Sequence, residues 1–166
     1  AHQRIALGIA YTFQITSVFP GLSLQENVAL AARRVTPKAD VAAKVARVLA
    51  RVGLEDRADM IAGDQSYGHQ RVLEIAMGLA QDPKLFILDE PTQGLAESEV
   101  QDFIQLIREL AGETTILLIE HNMNVVMEAA DIITVLNFGE VLATGTPKEV
   151  HANVDVQAAY LGTGDV

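Results

Sequence analysis

Cysteine is absent from the 166 residues, which excludes a disulfide framework, a thiolate zinc site and a thiol nucleophile together. No apolar run reaches the ~18–20 residues needed to cross a bilayer, and nothing near Ala1 resembles a signal peptide. A role at a membrane is therefore expected to be peripheral. Basic residues are scarce, 12 against 22 acidic ones, for a net charge of −10. Nucleic-acid binders carry a basic patch or a high pI, so duplex DNA or RNA is not expected as the main ligand. Most of the acidic excess reads as solvated surface. Internal repeats, low-complexity tracts and linker-like runs are also missing.

What is present is a hydrophobic fraction of 49%, enough for one sizeable core at ~100–200 residues per domain. The first half reads as helical. Ser23 and Glu26 have capping-box spacing, each side chain able to satisfy a backbone donor at a helix start. That helix is expected to run to about Arg34, before Thr36-Pro37. Val41, Val45, Val48, Leu49 and Val52 recur at helical spacing, with Gly53 as a stop, and a third helix is expected from about His69 to Ala80. The second half changes character. Leu85-Phe86-Ile87-Leu88 and Thr115-Ile116-Leu117-Leu118-Ile119 are unbroken apolar runs, as in parallel strands buried on both faces. Between them Val100, Phe103, Ile104, Ile107 and Leu110 form one helical stripe, making a βαβ unit. A strand over Ile132–Leu136 turns through Asn137-Phe138-Gly139-Glu140 into Val141-Leu142-Ala143 as a hairpin. Thr146-Pro147-Lys148-Glu149 is a second capping box, with proline at the first helical position.

Four local signals carry chemistry. Asp89-Glu90 closes the strand that begins at Leu85, and open α/β sheets bind ligands at that carboxyl edge. Asp89 suits Mg²⁺, which takes oxygen ligands and keeps several waters, and Glu90 suits a base that activates water. A strand that merely stops at a charged turn is the alternative. Ser66-Tyr67-Gly68-His69 opens a helix, where free N–H groups and the helix dipole favour phosphate; Ser66 acting only as a cap fits equally well. His121 follows the strand ending at Ile119, one strand–helix–strand beyond Glu90, where a lone histidine is otherwise a solvated loop residue. Gln14, in Tyr11-Thr12-Phe13-Gln14, says nothing by itself.

Together and in this order, the four resemble the nucleotide-binding subunits of ABC transporters over nearly the whole chain. The resemblance implies a partial P-loop NTPase core of α/β class, with parallel strands plus a helical signature subdomain. It is expected as one partial domain over 1–166, with the helical part at about 15–81 and the α/β core, C-terminal hairpin and helices at about 82–166. By the same resemblance, Gln14 is the Q-loop glutamine approaching Mg²⁺ and the attacking water, and Ser66, Tyr67, Gly68 and His69 fall on the signature motif that closes on ATP. Asp89 is the Walker B aspartate at Mg²⁺, Glu90 the catalytic glutamate, and His121 the switch histidine. ATP and Mg²⁺ are the implied cofactors. A second ATPase subunit and transmembrane permease subunits are the implied partners, with no nucleic acid, at the cytoplasmic face of the cell membrane. Ile119-Glu120-His121-Asn122-Met123, Gly145-Thr146-Pro147 and Ala159-Tyr160-Leu161-Gly162 narrow the resemblance to importers of branched-chain amino acids and related small polar solutes. Departures stand at Gln65, where leucine is usual, at Tyr67 and His69 within the signature, and at Ala96 in place of the D-loop aspartate.

The P-loop pattern G-x-x-x-x-G-K-[ST], whose amides wrap phosphates, does not occur. The four lysines are Lys38, Lys44, Lys84 and Lys148, and none sits between Gly and Ser or Thr. The expectation is half a nucleotide site, no ATP hydrolysis by these residues alone, and an N-terminally truncated chain. The rival readings are a non-catalytic module that binds a membrane subunit or a second copy, and an ABC ATPase outside transport. The acidic balance and the lack of long heptads argue against the second.

Overall fold

Three parallel strands, β1 (Ile9–Tyr11), β2 (Leu85–Asp89) and β3 (Thr115–Ile119), lie side by side in that order. They appear in a computed structural model that describes residues 7–12 and 17–161. The chain divides into two compact units between Glu120 and His121. In the first unit β2 is central, with Ile9 beside Leu85 and Tyr11 beside Ile87 on one flank. Leu85 lies beside Thr115, and Asp89 beside Ile119, on the other. The α/β reading holds.

Four α-helices accompany this sheet: α1 (Leu24–Ala32), α2 (Val41–Arg51), α3 (Tyr67–Leu79) and α4 (Glu97–Ala111). The expected capping box starts α1. Ser23 Oγ accepts from the Glu26 amide at 3.3 Å, and the Ser23 amide donates to Glu26 Oε2 at 2.8 Å. This helix ends at Ala32, two residues short of expectation, and α3 begins at Tyr67 with Ser66 as its N-cap. Gly53 follows α2 at φ +70°, where a side chain would be strained. Lys44 on α2 is 4% exposed and pairs with Asp82 and Thr36, holding the turn between α3 and β2. Leu24, Val28, Leu49, Leu73, Ile75, Phe86 and Leu88 are essentially fully buried, each such side chain stabilising by roughly 1.5–3 kcal/mol. Gly78 is where α3 meets the sheet: a Cβ there would lie 2.3 Å from Phe86 Cζ.

One expectation fails. β3 is not buried on both faces: Leu117 is 49% and Ile119 46% exposed. In-register neighbours project to the same side, so Leu117 and Ile119 share the Asp89 face of the sheet. That face is the less covered one, while Phe86 and Leu88 occupy the buried face. β3 is also an edge strand, paired only with β2 among the described residues. The apolar run alone could not say which face would be covered. β1 was not foreseen, because three residues are too few to show a period.

In the second unit, β4 (Ile133–Asn137) and β5 (Glu140–Gly145) form the expected antiparallel hairpin, β4 one residue later than read and β5 longer than read at both ends. Helix α5 (Met123–Ala129) precedes it, and α6 (Pro147–His151) and α7 (Val154–Leu161) follow. Thr146 and Glu149 cap α6 reciprocally. The small core joins Ile133, Val135, Val150 and Val156.

Candidate functional site

β2 delivers the paired carboxylates, and the backbone separates their surroundings at once. Asp89 is the last strand residue and shares a face with Tyr11, whose hydroxyl donates to Asp89 Oδ2 at 2.6 Å. Glu90 leaves the strand at φ +43°, in the left-handed region. Its amide still donates to the Ile119 carbonyl at 2.9 Å, and its carbonyl accepts from the Gln93 amide at 3.2 Å. A non-glycine residue keeps such a φ only where its surroundings over-determine it.

Those surroundings are two buried charged groups. Arg71, on the second turn of α3 and 1% exposed, donates through Nε to the Pro91 carbonyl at 3.1 Å and through Nη2 to the Glu90 carbonyl at 3.0 Å. The Asp89 carbonyl is 3.5 Å from Nη2. Glu74, 5% exposed, pairs with Nη1 at 2.7 Å. Beyond the turn, Glu120 Oε1 accepts from the Thr92 amide at 3.1 Å and from the Thr92 hydroxyl. Tyr11, Arg71, Glu74, Thr92 and Glu120 were all missed as site residues. The one signal available was the Arg71/Glu74 spacing of i, i+3, which brings opposite charges together on a helix.

Ser66 is the N-cap of α3, its hydroxyl accepting from the His69 amide at 3.3 Å and lying 2.8 Å from His69 Nδ1. The helix start packs on the loop before α4. A Cβ on Gly68 would sit 2.2 Å from Glu99 Oε1, and one on Gly94, at φ +80°, would sit 3.1 Å from the Tyr67 ring. Glu99 Oε2 accepts from the Ala96 amide at 2.9 Å and so starts α4, with no side-chain cap at Ala96. The helix that Ser66 caps is thus the helix whose Arg71 holds the Asp89–Pro91 turn.

Gln14 lies outside the described residues. His121 opens the second unit, two residues after β3 leaves the sheet at Ile119. A concavity of about 850 Å³ between α1 and α2 is lined by none of the candidate residues. Among the described residues no group of three His, Asp or Glu side chains could cage a metal ion. Asp89 nevertheless fits Mg²⁺. It is a half-buried carboxylate at a strand's carboxyl end, anchored through one oxygen by Tyr11, and Mg²⁺ in phosphate sites uses one or two carboxylates with waters and phosphate oxygens.

This geometry can be set beside known proteins. The family described as ABC transporter matches residues 1–93, and the one described as branched-chain amino acid ATP-binding cassette transporter matches 140–166. The high-affinity branched-chain amino acid transport ATP-binding protein LivG of Salmonella typhimurium is 38% identical, over 96% of this chain and 70% of LivG. The chain belongs to the ABC transporter ATPase family. BraF of Pseudomonas aeruginosa, another high-affinity branched-chain amino acid transport ATP-binding protein, is 37% identical over 97% of the chain and 70% of its own length. The methionine import ATP-binding protein MetN of Haemophilus ducreyi is 36% identical, with 91% of the chain matching 45% of MetN. Among solved structures, cbiO1 of Clostridium perfringens, part of the ABC transporter complex cbiONQ, superposes with a TM-score of 0.83 at 30% identity, covering 93% of this chain and 63% of cbiO1. The ADP conformation of the ATP-binding cassette MJ1267 gives 0.84 at 25% identity, over 97% of the chain and 71% of MJ1267. Membership in this ATPase family agrees with the expected α/β P-loop NTPase core. No described helix is long and apolar enough to cross a membrane.

Proposed function

We propose that this chain is the part of an ABC importer ATPase that carries the Mg²⁺ ligand, the base and the signature helix. In this reading it drives uptake of branched-chain amino acids or similar small polar solutes. The observation that carries the reading is the end of β2. Asp89 is anchored by Tyr11, and Glu90 is turned out of the strand with its backbone held on both sides. Asp89 would hold Mg²⁺ when it is bound, and Glu90 takes a proton from the attacking water on a side-chain carboxylate oxygen. Bound Mg²⁺ would supply neutralisation of phosphate charge. By the family resemblance, Gln14 would take the Q-loop role toward Mg²⁺ and water, and His121 the switch role toward the γ-phosphate. Ser66, Tyr67, Gly68 and His69 close on the ATP held by a second ATPase subunit, while permease subunits anchor the assembly at the cytoplasmic face of the membrane. The branched-chain family match at 140–166 and the longer coverage of LivG than of MetN favour branched-chain solutes over methionine.

The test is Glu90→Gln in a full-length subunit carrying this sequence. Turnover falls by roughly 10²–10⁴, the usual worth of a general base, while ATP-driven dimerisation persists. Turnover at the parent rate removes Glu90 as base.

A second reading is favoured by the half-exposed Leu117 and Ile119 on edge strand β3 and by the absence of a P-loop pattern in the 166 residues. Here the chain alone is a non-catalytic module that binds a membrane subunit or a second copy. Calorimetric titration with ATP separates the two. No heat in the chain alone, and binding once a P-loop-containing partner is added, supports a half-site; no heat in either supports the module.

A further inference from the structure

We propose that Arg71 is the positioning residue for Glu90, a clamp on the turn rather than a general core residue; this rests on the reading of Glu90 as the base. A guanidinium is costly to bury unless it is both paired and hydrogen-bonded, and Arg71 at 1% exposure has both. Outside its own helix it donates to the carbonyls of one turn, those of Pro91 and Glu90, with that of Asp89 at the limit of reach. Successive carbonyls that have left the β ladder point in different directions, and only a rigid planar fork meets several of them at once. An ammonium is a point charge and cannot. Glu74 neutralises the fork and also accepts from the Ser17 amide at 3.4 Å. The clamp thereby reaches the segment that follows β1. Its load is the left-handed Glu90 at φ +43°, and fixing that φ fixes where the Glu90 side chain starts. One side chain of the signature helix therefore sets the aim of the carboxylate at the end of β2.

The test is amide hydrogen exchange together with the Hα–HN coupling of Glu90, measured on this chain. Two variants are compared: Arg71→Lys, which keeps the charge and loses the fork, and Arg71→Met/Glu74→Met, which replaces the pair with apolar groups of similar volume. In both, exchange of the Glu90 and Gln93 amides accelerates roughly tenfold to hundredfold, the worth of a charged hydrogen bond. The Glu90 coupling changes as well, and α2 keeps its protection. Unchanged local exchange and coupling in either variant overturns the proposal. Equal acceleration everywhere in both variants overturns it too, because Arg71 would then be a general core residue. In a full-length subunit, Arg71→Lys lowers kcat with KM for ATP unchanged. Glu90→Gln is assayed alongside: if it turns over at the parent rate, the base reading falls, while the exchange data still decide the role of Arg71.

Discussion

Glu90 and Phe138 are both non-glycine residues in the left-handed region, at φ +43° and +47°, and the molecule treats them in opposite ways. Phe138 is fully exposed and is followed by Gly139 at φ +84°. Together they form the two-residue connection of the β4–β5 hairpin, where positive φ at both positions matches the right-handed twist of the strands. Local geometry is enough there. No hairpin follows Glu90, and its turn is held by a buried ion pair below and by Glu120 on Thr92 beyond. A conformation that a hairpin tolerates by itself is imposed at Glu90 by side chains from two other elements. Strain held at that expense marks a position where orientation matters.

The comparison breaks most visibly at Glu74. Glu74→Ala leaves the Arg71 charge buried with its carboxylate gone, and removing one partner of a buried pair costs about 3–5 kcal/mol. Protection of the α3 amides in urea should fall accordingly, and a loss below about 1 kcal/mol would mean the pair is not what holds the turn. The hairpin gives the smaller answer. Gly139→Ala forces a Cβ into the left-handed region at a cost of about 1–2 kcal/mol. Phe138→Asn, a side chain at home at positive φ, stays within about 0.5 kcal/mol of the parent. A Phe138 change as costly as the Glu74 change would erase the distinction between the two turns.

Much of this was legible in the sequence because it is local. Ser23/Glu26 and Thr146/Glu149 announced helix starts, Gly53 a stop, and Asn137–Glu140 a hairpin, each from residues within a few positions of one another. The end of β2 was legible as a candidate site, since two carboxylates after four apolar residues stand out. Its support was not. Arg71 and Asp89 are 18 positions apart, and Tyr11 and Asp89 are 78 apart, so only the fold reveals that they meet. The exposure of Leu117 and Ile119 was hidden for a related reason: an apolar run reports a strand, and burial depends on what covers each face.

The weakest expected effect also contrasts the two units, through their matched capping boxes. Backbone and side-chain hydrogen bonds from Ser23 hold the Glu26 carboxyl below its ordinary pKa, and the same bonds from Thr146 hold Glu149 below its own. A depressed folded-state pKa means that the carboxylate form is favoured by folding. The stabilisation is therefore fully present above the unfolded value of ~4.3 and is lost as pH falls through the lower folded value. Both groups are open to solvent, so the effect is small. Glu26 caps a helix whose Leu24 and Val28 are completely buried, whereas Glu149 caps the five-residue α6, held mainly through Val150. As pH falls, the first turn of α6 should lose amide protection before that of α1, because tertiary packing still holds α1 when its cap weakens. Glu149→Gln keeps an acceptor and removes the charge, so it should flatten the α6 response below pH ~4.3; a response as steep as in the parent would assign the fraying to another group.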